Sequence, residues 1–165
     1  MVLNSEEIKE RIEKQRIISG FIDFGTQITP NGFDLTVEKI FEFLGSGAID
    51  FSNENRETSE TRELKWENDW LFLKKGVYKV RTNETLKMPL DLVAIARPRS
   101  SLSRSGVAVG SGVWDAGFEG KSEFLLIVGN SKGFRVKKNA RILQLIFFRM
   151  KKTKDGYDGV YKSIT

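Results

Sequence analysis

Arg97, Arg99 and Arg104 share one short span, Ala96 to Gly120, with the pair Ser100-Ser101, glycines around Gly110 and the acid Asp115. Forked guanidiniums hold oxyanions through paired N–H donors. Hydroxyls add short donors, and glycines let backbone N–H groups come close. Such a set makes a phosphate cradle; the same residue types also suit a polar hairpin with ordinary turns. The chain has no histidine and no cysteine. That rules out a Ser-His-Asp or Cys-His nucleophile system, a zinc site of the usual kind and any disulfide. Acid–base work falls to Asp, Glu, Lys, Tyr or bound water.

The formal charge of +5 suits a polyanionic ligand, although a solvated basic surface has the same balance. No helix-turn-helix, finger or RNP signature is present, so nucleic acid is not an expected partner. At 165 residues the chain is expected to form one domain over 1–165. No apolar run approaches the ~20 residues of a membrane-spanning helix. The N-terminus lacks a signal-peptide pattern, which predicts no membrane association and a cytoplasmic location.

The elements that must position these residues are mostly strands. About residues 3–17 read as the one clear helix. Asn4 is placed to cap it, Glu7 completes a capping box, and Leu3 with Ile8 fits a hydrophobic staple. Glu7–Arg11 and Glu10–Lys14 are i,i+4 pairs, and Ile8 with Ile12 forms a narrow apolar stripe. Beyond Gly20, short apolar runs alternate with turn residues. Pro30-Asn31-Gly32 predicts a turn. Ala48–Phe51, Leu64 with Trp66, Trp70–Leu73, Val77–Val80, Leu90–Ala96, Glu123–Val128 and Arg141–Phe148 predict strands, and Ser52–Arg62 an exposed loop or loose hairpin. The pattern predicts a mainly β barrel or jelly roll with one N-terminal helix.

RPRSSLSRSG, from Arg97, followed by GSGVWDAGFEGK, from Gly110, resembles the second and third motifs of the dUTPase and dCTP deaminase superfamily. That family shows RSSL or RSGL, a glycine-rich hairpin, then IDxGFxG or IDxxYxG. TPNGFDLTV, from Thr29, is similar to its first motif, with Asp34 as the acid; alone, Asp34 reads as a turn-exit residue. NARILQLIF, from Asn139, resembles the fourth motif, RIxQLxF. The ending DGYDGVYKSIT is nearest the YxGxY of deaminase-like members and lacks the RGxGGFGSTG of classical trimeric dUTPases. The resemblance is thus nearest to a deaminase-like dUTP diphosphatase.

The resemblance implies a distorted jelly roll of the dUTPase-like, β-clip kind, and hydrolysis of dUTP to dUMP and pyrophosphate with Mg²⁺. Such an enzyme keeps uracil out of DNA and supplies dUMP for thymidylate synthesis. By resemblance, Arg99, Ser100, Ser101, Arg104 and Gln144 would hold phosphates. Asp115 would bind the 3′-hydroxyl and activate water, while Phe118 would pack on the deoxyribose. Backbone groups of Gly110, Ser111, Gly112 and Val113 would read uracil. Asp34 would act on Mg²⁺ through water in its outer shell. About residues 152–165, with Tyr157, Tyr161 and Lys162, would form a C-terminal arm over a site between subunits of a homotrimer. Trp114 stands where the family has Ile or Val, and core packing is its expected role.

A dCTP deaminase and a catalytically silent nucleotide-binding regulator are the alternatives on the same fold. Deaminases of the family use a glutamate ten residues beyond the third-motif Asp. That position is Leu125 here, and Glu123 is the nearest acid, on the same strand face but displaced by roughly 6–7 Å.

Overall fold

The computed structural model describes residues 1–162. Its first element, helix α1 (Ser5–Gln15), is fixed at both ends. The Asn4 side chain accepts from the Glu7 N–H, and the Glu7 carboxylate accepts from the Asn4 N–H, while Arg16 closes the helix with φ 53°. Ile8 and Ile12 are buried, as the narrow stripe requires. The helix is shorter than the expected 3–17. Of the two predicted i,i+4 pairs, Glu10–Lys14 forms at 2.7 Å. Glu7–Arg11 does not: Glu7 is taken by the cap and by Arg149, and Arg11 turns to Asp91. A tertiary carboxylate outcompetes a helical neighbour because it accepts two bonds at once, at 2.7 and 3.2 Å.

Strand β1 (Ile18–Ser19), helix α2 (Phe24–Gln27) and strand β2 (Ile28–Thr29) follow. Next come β3 (Gly32–Phe43), β4 (Thr61–Glu63), β5 (Trp70–Leu73), β6 (Gly76–Lys87) and β7 (Leu92–Pro98). Helix α3 (Ser100–Arg104) precedes β8 (Val107–Gly110), β9 (Glu119–Val128), β10 (Phe134–Lys137) and β11 (Arg141–Arg149). Nine strands make one sheet ordered β7-β11-β3-β6-β9-β8, with β1 on β6 and both β2 and β4 on β3; β5 and β10 pair separately. All named pairs are antiparallel. The two ends of the path nearly meet. Ala94 of β7 exchanges backbone bonds of 2.9 and 3.0 Å with Trp114, just past β8, so the sheet approaches a closed barrel.

Inward residues follow the period of two: Ser122, Phe124, Leu126 and Val128 of β9 are buried, while Lys121, Glu123, Leu125 and Ile127 face out. The buried apolar side chains form one cluster, from Leu3 to Phe147. The expected mainly β architecture stands, with two additions. α2 and α3 are single turns, too short to carry an apolar period. Ala48–Phe51 is not a strand; Ala48 makes only an isolated bridge to Glu57, and Phe51 is fully exposed. β6 runs well beyond Val77–Val80, because its continuation is polar yet buried. Thr82 and Glu84 point inward at a bulge between Arg81 and Thr85.

The Glu84 carboxylate is satisfied there by Thr36 N–H at 2.9 Å, Thr36 Oγ1 at 2.6 Å and Gln27 Nε2 at 2.7 Å. Burial pushes its pKa above the usual carboxylate range, against those bonds.

Candidate active site

β3, β11 and β7 lie side by side, and their register sets Asp34 opposite Gln144 and Gln144 opposite Arg97. The three residues therefore share one row across the sheet. Asp34 is only 3% exposed. Its Oδ2 lies 3.3 Å from Arg141 Nη1 and 3.4 Å from Arg99 Nε. Burial raises the Asp34 pKa, with Arg99 and Arg141 pulling it back. Gln144 Nε2 donates to Thr29 Oγ1 at 2.7 Å. Gly32 makes that approach possible, since a Cβ there would run into the Leu145 carbonyl oxygen and the Gln144 side chain. Arg99 precedes α3 in extended conformation, so Ser100 and Ser101 open the helix. Both are exposed, as is Arg104. Of the expected phosphate residues, Arg99 and Ser101 line one cavity, together with Arg141.

Asp34 does not stand open as the expected outer-shell metal group; its carboxylate faces two guanidiniums. Among the described residues no group of three or more Asp or Glu is placed to hold an ion. A cation that arrives chelated by a polyphosphate would need no such group of protein carboxylates.

A second group of expected site residues is built on the β8–β9 hairpin. Trp114 is buried, its Nε1–H donates to Ser122 Oγ at 2.8 Å, and its backbone is bonded to Ala94. The core role expected of Trp114 is what the structure shows. This anchor turns its neighbour Asp115 outward, exposed and without a hydrogen-bonding or ionic side-chain partner among the described residues. Just before it, the main-chain groups of Ser111, Gly112 and Val113 make no hydrogen bond among the described residues, although Gly110 is still in the ladder opposite Leu125.

A cavity of about 280 Å³ opens beside this segment, lined by Gly112, Val113, Trp114, Phe118, Glu123 and Tyr157 among others. Phe118 meets Tyr157 edge-on, with ring centroids 5.7 Å apart. Tyr157 N–H donates to Ala116 O at 2.7 Å. Gly117, with φ 85°, lets the arm pass: a Cβ there would come within 2.6 Å of Gly156 Cα. Tyr161 also lines the cavity. Lys162 is exposed, and 163–165 of the expected arm lie outside the described residues.

Glu123 reaches this cavity but is held by Lys79 at 3.1 Å and Arg81 at 2.9 Å. Leu125 faces Gly110, with its Cβ 3.6 Å from where a glycine Cβ would stand. Arg99, Ser101 and Arg141 line a separate cavity of about 300 Å³ that shares no residue with the hairpin cavity.

The profile of the dCTP deaminase-like family matches residues 2–150, which span β1 to β11 and leave out Tyr157 and Tyr161. The chain belongs to that family. Among curated relatives, the "Probable deoxyuridine 5'-triphosphate nucleotidohydrolase" of Archaeoglobus fulgidus is 45% identical over 161 residues, 98% of this chain and 95% of that protein. The deoxyuridine 5'-triphosphate nucleotidohydrolase of Methanocaldococcus jannaschii is 40% identical over 138 residues, 82% of this chain and 87% of that protein. Among solved structures, the 2'-deoxycytidine 5'-triphosphate deaminase of Agrobacterium tumefaciens superposes with a TM-score of 0.67 at 23% identity over 90% of this chain. That likeness concerns the fold, and the chain spans 47% of the deaminase's length.

In this dCTP deaminase-like chain, the sequence did not single out Thr29 or the pair Lys79–Arg81, and it named Arg97 without placing it beside Gln144. Arg97 belongs to the Asp34–Gln144 row only through strand register. Thr29 was quoted in the first motif, but its bond to Gln144 crosses the sheet. No spacing rule connects such partners.

Proposed function

We propose that this chain hydrolyses dUTP to dUMP and pyrophosphate. The observation that carries the reading is the hairpin at 111–113. Its main-chain donors and acceptors are unpaired among the described residues and exposed, two residues before the exposed carboxylate of Asp115. Unpaired backbone groups at the edge of a cavity are what a planar base with two carbonyls and one N–H can satisfy. The nucleotidohydrolase names of relatives matching nearly the whole chain support it further.

In this reading Gly110–Val113 hold uracil and Phe118 packs on the deoxyribose. Asp115 accepts from the 3′-hydroxyl and takes the proton of the attacking water. The water oxygen bonds to the α-phosphorus as its bond to the bridging oxygen breaks, and pyrophosphate leaves. Arg99, Ser100, Ser101, Arg104 and Gln144 hold phosphate oxygens, and Asp34 keeps Arg99 and Arg141 in place. Arriving with the triphosphate, Mg²⁺ would supply charge neutralisation beside Arg99 and Arg104. Tyr157, Tyr161 and Lys162 close the site.

Because Arg99 with Ser101 and the hairpin line separate cavities in one copy, each site is completed by a neighbouring copy in a homotrimer. Val77, Leu125 and Ile127, exposed on adjoining strands of the outer face, give copies an apolar surface to share. We place this reaction in the cytoplasm.

The test is incubation of purified protein with dUTP or dCTP and Mg²⁺, followed by product identification. Consumption of dUTP alone is expected. With Leu125 at the position of the deaminase acid and Glu123 held by two cations, dCTP should remain intact. Comparable release of ammonia from dCTP would overturn the assignment.

A further inference from the structure

The separate β5–β10 pair has no place in the reaction described so far. Strand β10 carries Arg135 and Lys137 two residues apart, hence on one face. Trp70, opposite Lys137 on β5, lies beneath both cations: Arg135 Cζ is 4.8 Å and Lys137 Nζ 6.0 Å from its ring centroid. Neither cation has an acidic partner among the described residues. Both line the cavity of about 300 Å³ whose other wall holds Arg99, Ser101 and Arg141. Asp34 already offsets part of the charge on Arg99 and Arg141. The cations left unbalanced in this cavity are therefore those of β10.

The two-stranded pair is seated firmly enough to hold them. Leu71, Leu73 and Val136 are buried in the core. Lys138 N–H donates to Asp69 O at 2.8 Å, and Asn139 N–H to Val37 O at 2.9 Å. Arg135 and Lys137 are exposed, so water screens their mutual repulsion, and an anion bound between them would lower it further. An aromatic ring beneath them orients the side chains without neutralising them.

We propose that Arg135 and Lys137, across the cavity from Arg99 and Arg141, bind the pyrophosphate end of the nucleoside triphosphate, and hence free pyrophosphate. This inference rests on the dUTP reading for its substrate and deepens it. β10 makes the site select triphosphates over monophosphates. The base and sugar are held by the hairpin, so the distal phosphates alone reach β10.

Calorimetric titration with pyrophosphate, and separately with dUMP, tests this on the parent and on an Arg135→Gln/Lys137→Gln double variant. Each charge-assisted contact contributes roughly tenfold in affinity. Pyrophosphate affinity should fall about 10–100-fold, dUMP affinity should hold within about threefold, and KM for dUTP should rise with kcat little changed. Unchanged pyrophosphate affinity, or equal losses for pyrophosphate and dUMP, would overturn the subsite. A measurement on otherwise unaltered protein guards against misfolding of the double variant. Pyrophosphate should change the intrinsic fluorescence, and Trp70→Phe should abolish that change; persistence of the change in Trp70→Phe would also overturn it. A parent that binds pyrophosphate but does not turn over dUTP would sink the hydrolase reading separately.

Discussion

Asp34 and Asp115 carry the same carboxyl group in opposite settings. Asp34 sits inside the sheet, 3% exposed, with two guanidiniums against one oxygen. Asp115 stands on a hairpin in water, without a partner among the described residues. The first arranges cations, and its own proton affinity is raised by burial. The second is free to accept a hydrogen bond from a substrate or a proton from water. A carboxylate that touches ligand must be reachable and uncommitted. One that builds a binding surface must be committed already.

Substituting each acid should separate these roles, beginning with the larger effect. Asp115→Asn keeps shape and removes the base, so dUTP turnover should fall by about 10²–10⁴, with nucleotide binding and melting temperature nearly unchanged. Steady-state kinetics with a thermal melt checks this. Trp114→Ala attacks the anchor instead of the acid. It removes a buried indole and the Ser122 bond, and should cost about 3–5 kcal/mol in chemical denaturation. Trp114→Phe should recover most of that loss.

Asp34→Asn should act on binding more than on chemistry. Losing the charge that gathers Arg99 and Arg141 should raise KM for dUTP several-fold in steady-state kinetics, with no large loss of stability, because burial already disfavours that charge. An unchanged KM would show that the guanidiniums need no such organiser.

The smallest expected effect is a pH trend. Burial raises the pKa of Asp34 and of Glu84 above 3.8 and 4.5, their ordinary values. Between those values and the raised ones the folded state binds more protons than the unfolded chain. Both groups therefore oppose folding increasingly as pH climbs through that window. Asp91 has the reverse sign. Its bonds from Arg11 lower its pKa, so its contribution is present above 3.8 and lost as pH falls through the lower folded value. Denaturation from pH 3 to 7 on Glu84→Gln and Asp91→Asn should show the opposite trends missing one at a time.

The sequence made the hairpin half more legible than the sheet half. Gly110–Val113, Asp115 and Phe118 are close in the chain, so a motif contains them and local geometry presents them. The sheet half is assembled by register. Arg97 meets Gln144, Gln144 meets Asp34, and Arg141 reaches Asp34 only because three strands distant in sequence align. Apolar runs predicted β5, β7 and β11 and parts of β6 and β9, while Leu64 with Trp66 lies outside any strand; Asn4 with Glu7 predicted where α1 begins. β6 was predicted short because Thr82 and Glu84 are polar residues buried by bonding to Thr36, Gln27 and neighbouring backbone. Ala48–Phe51 read as a strand because apolar residues in an exposed loop look like a core-facing run.

The hairpin of one copy and the phosphate-binding residues of another are proposed to form one site. The most direct test of that pairing mixes two inactive proteins, Asp115→Asn and the double variant Ser100→Ala/Ser101→Ala, under conditions that exchange subunits. Neither should turn over dUTP appreciably alone. In a one-to-one mixture about a quarter of the intersubunit sites would pair an intact hairpin with an intact phosphate half. Activity should therefore return to about a quarter of the parent's. A mixture that exchanges subunits yet stays as inactive as its components would contradict the shared site.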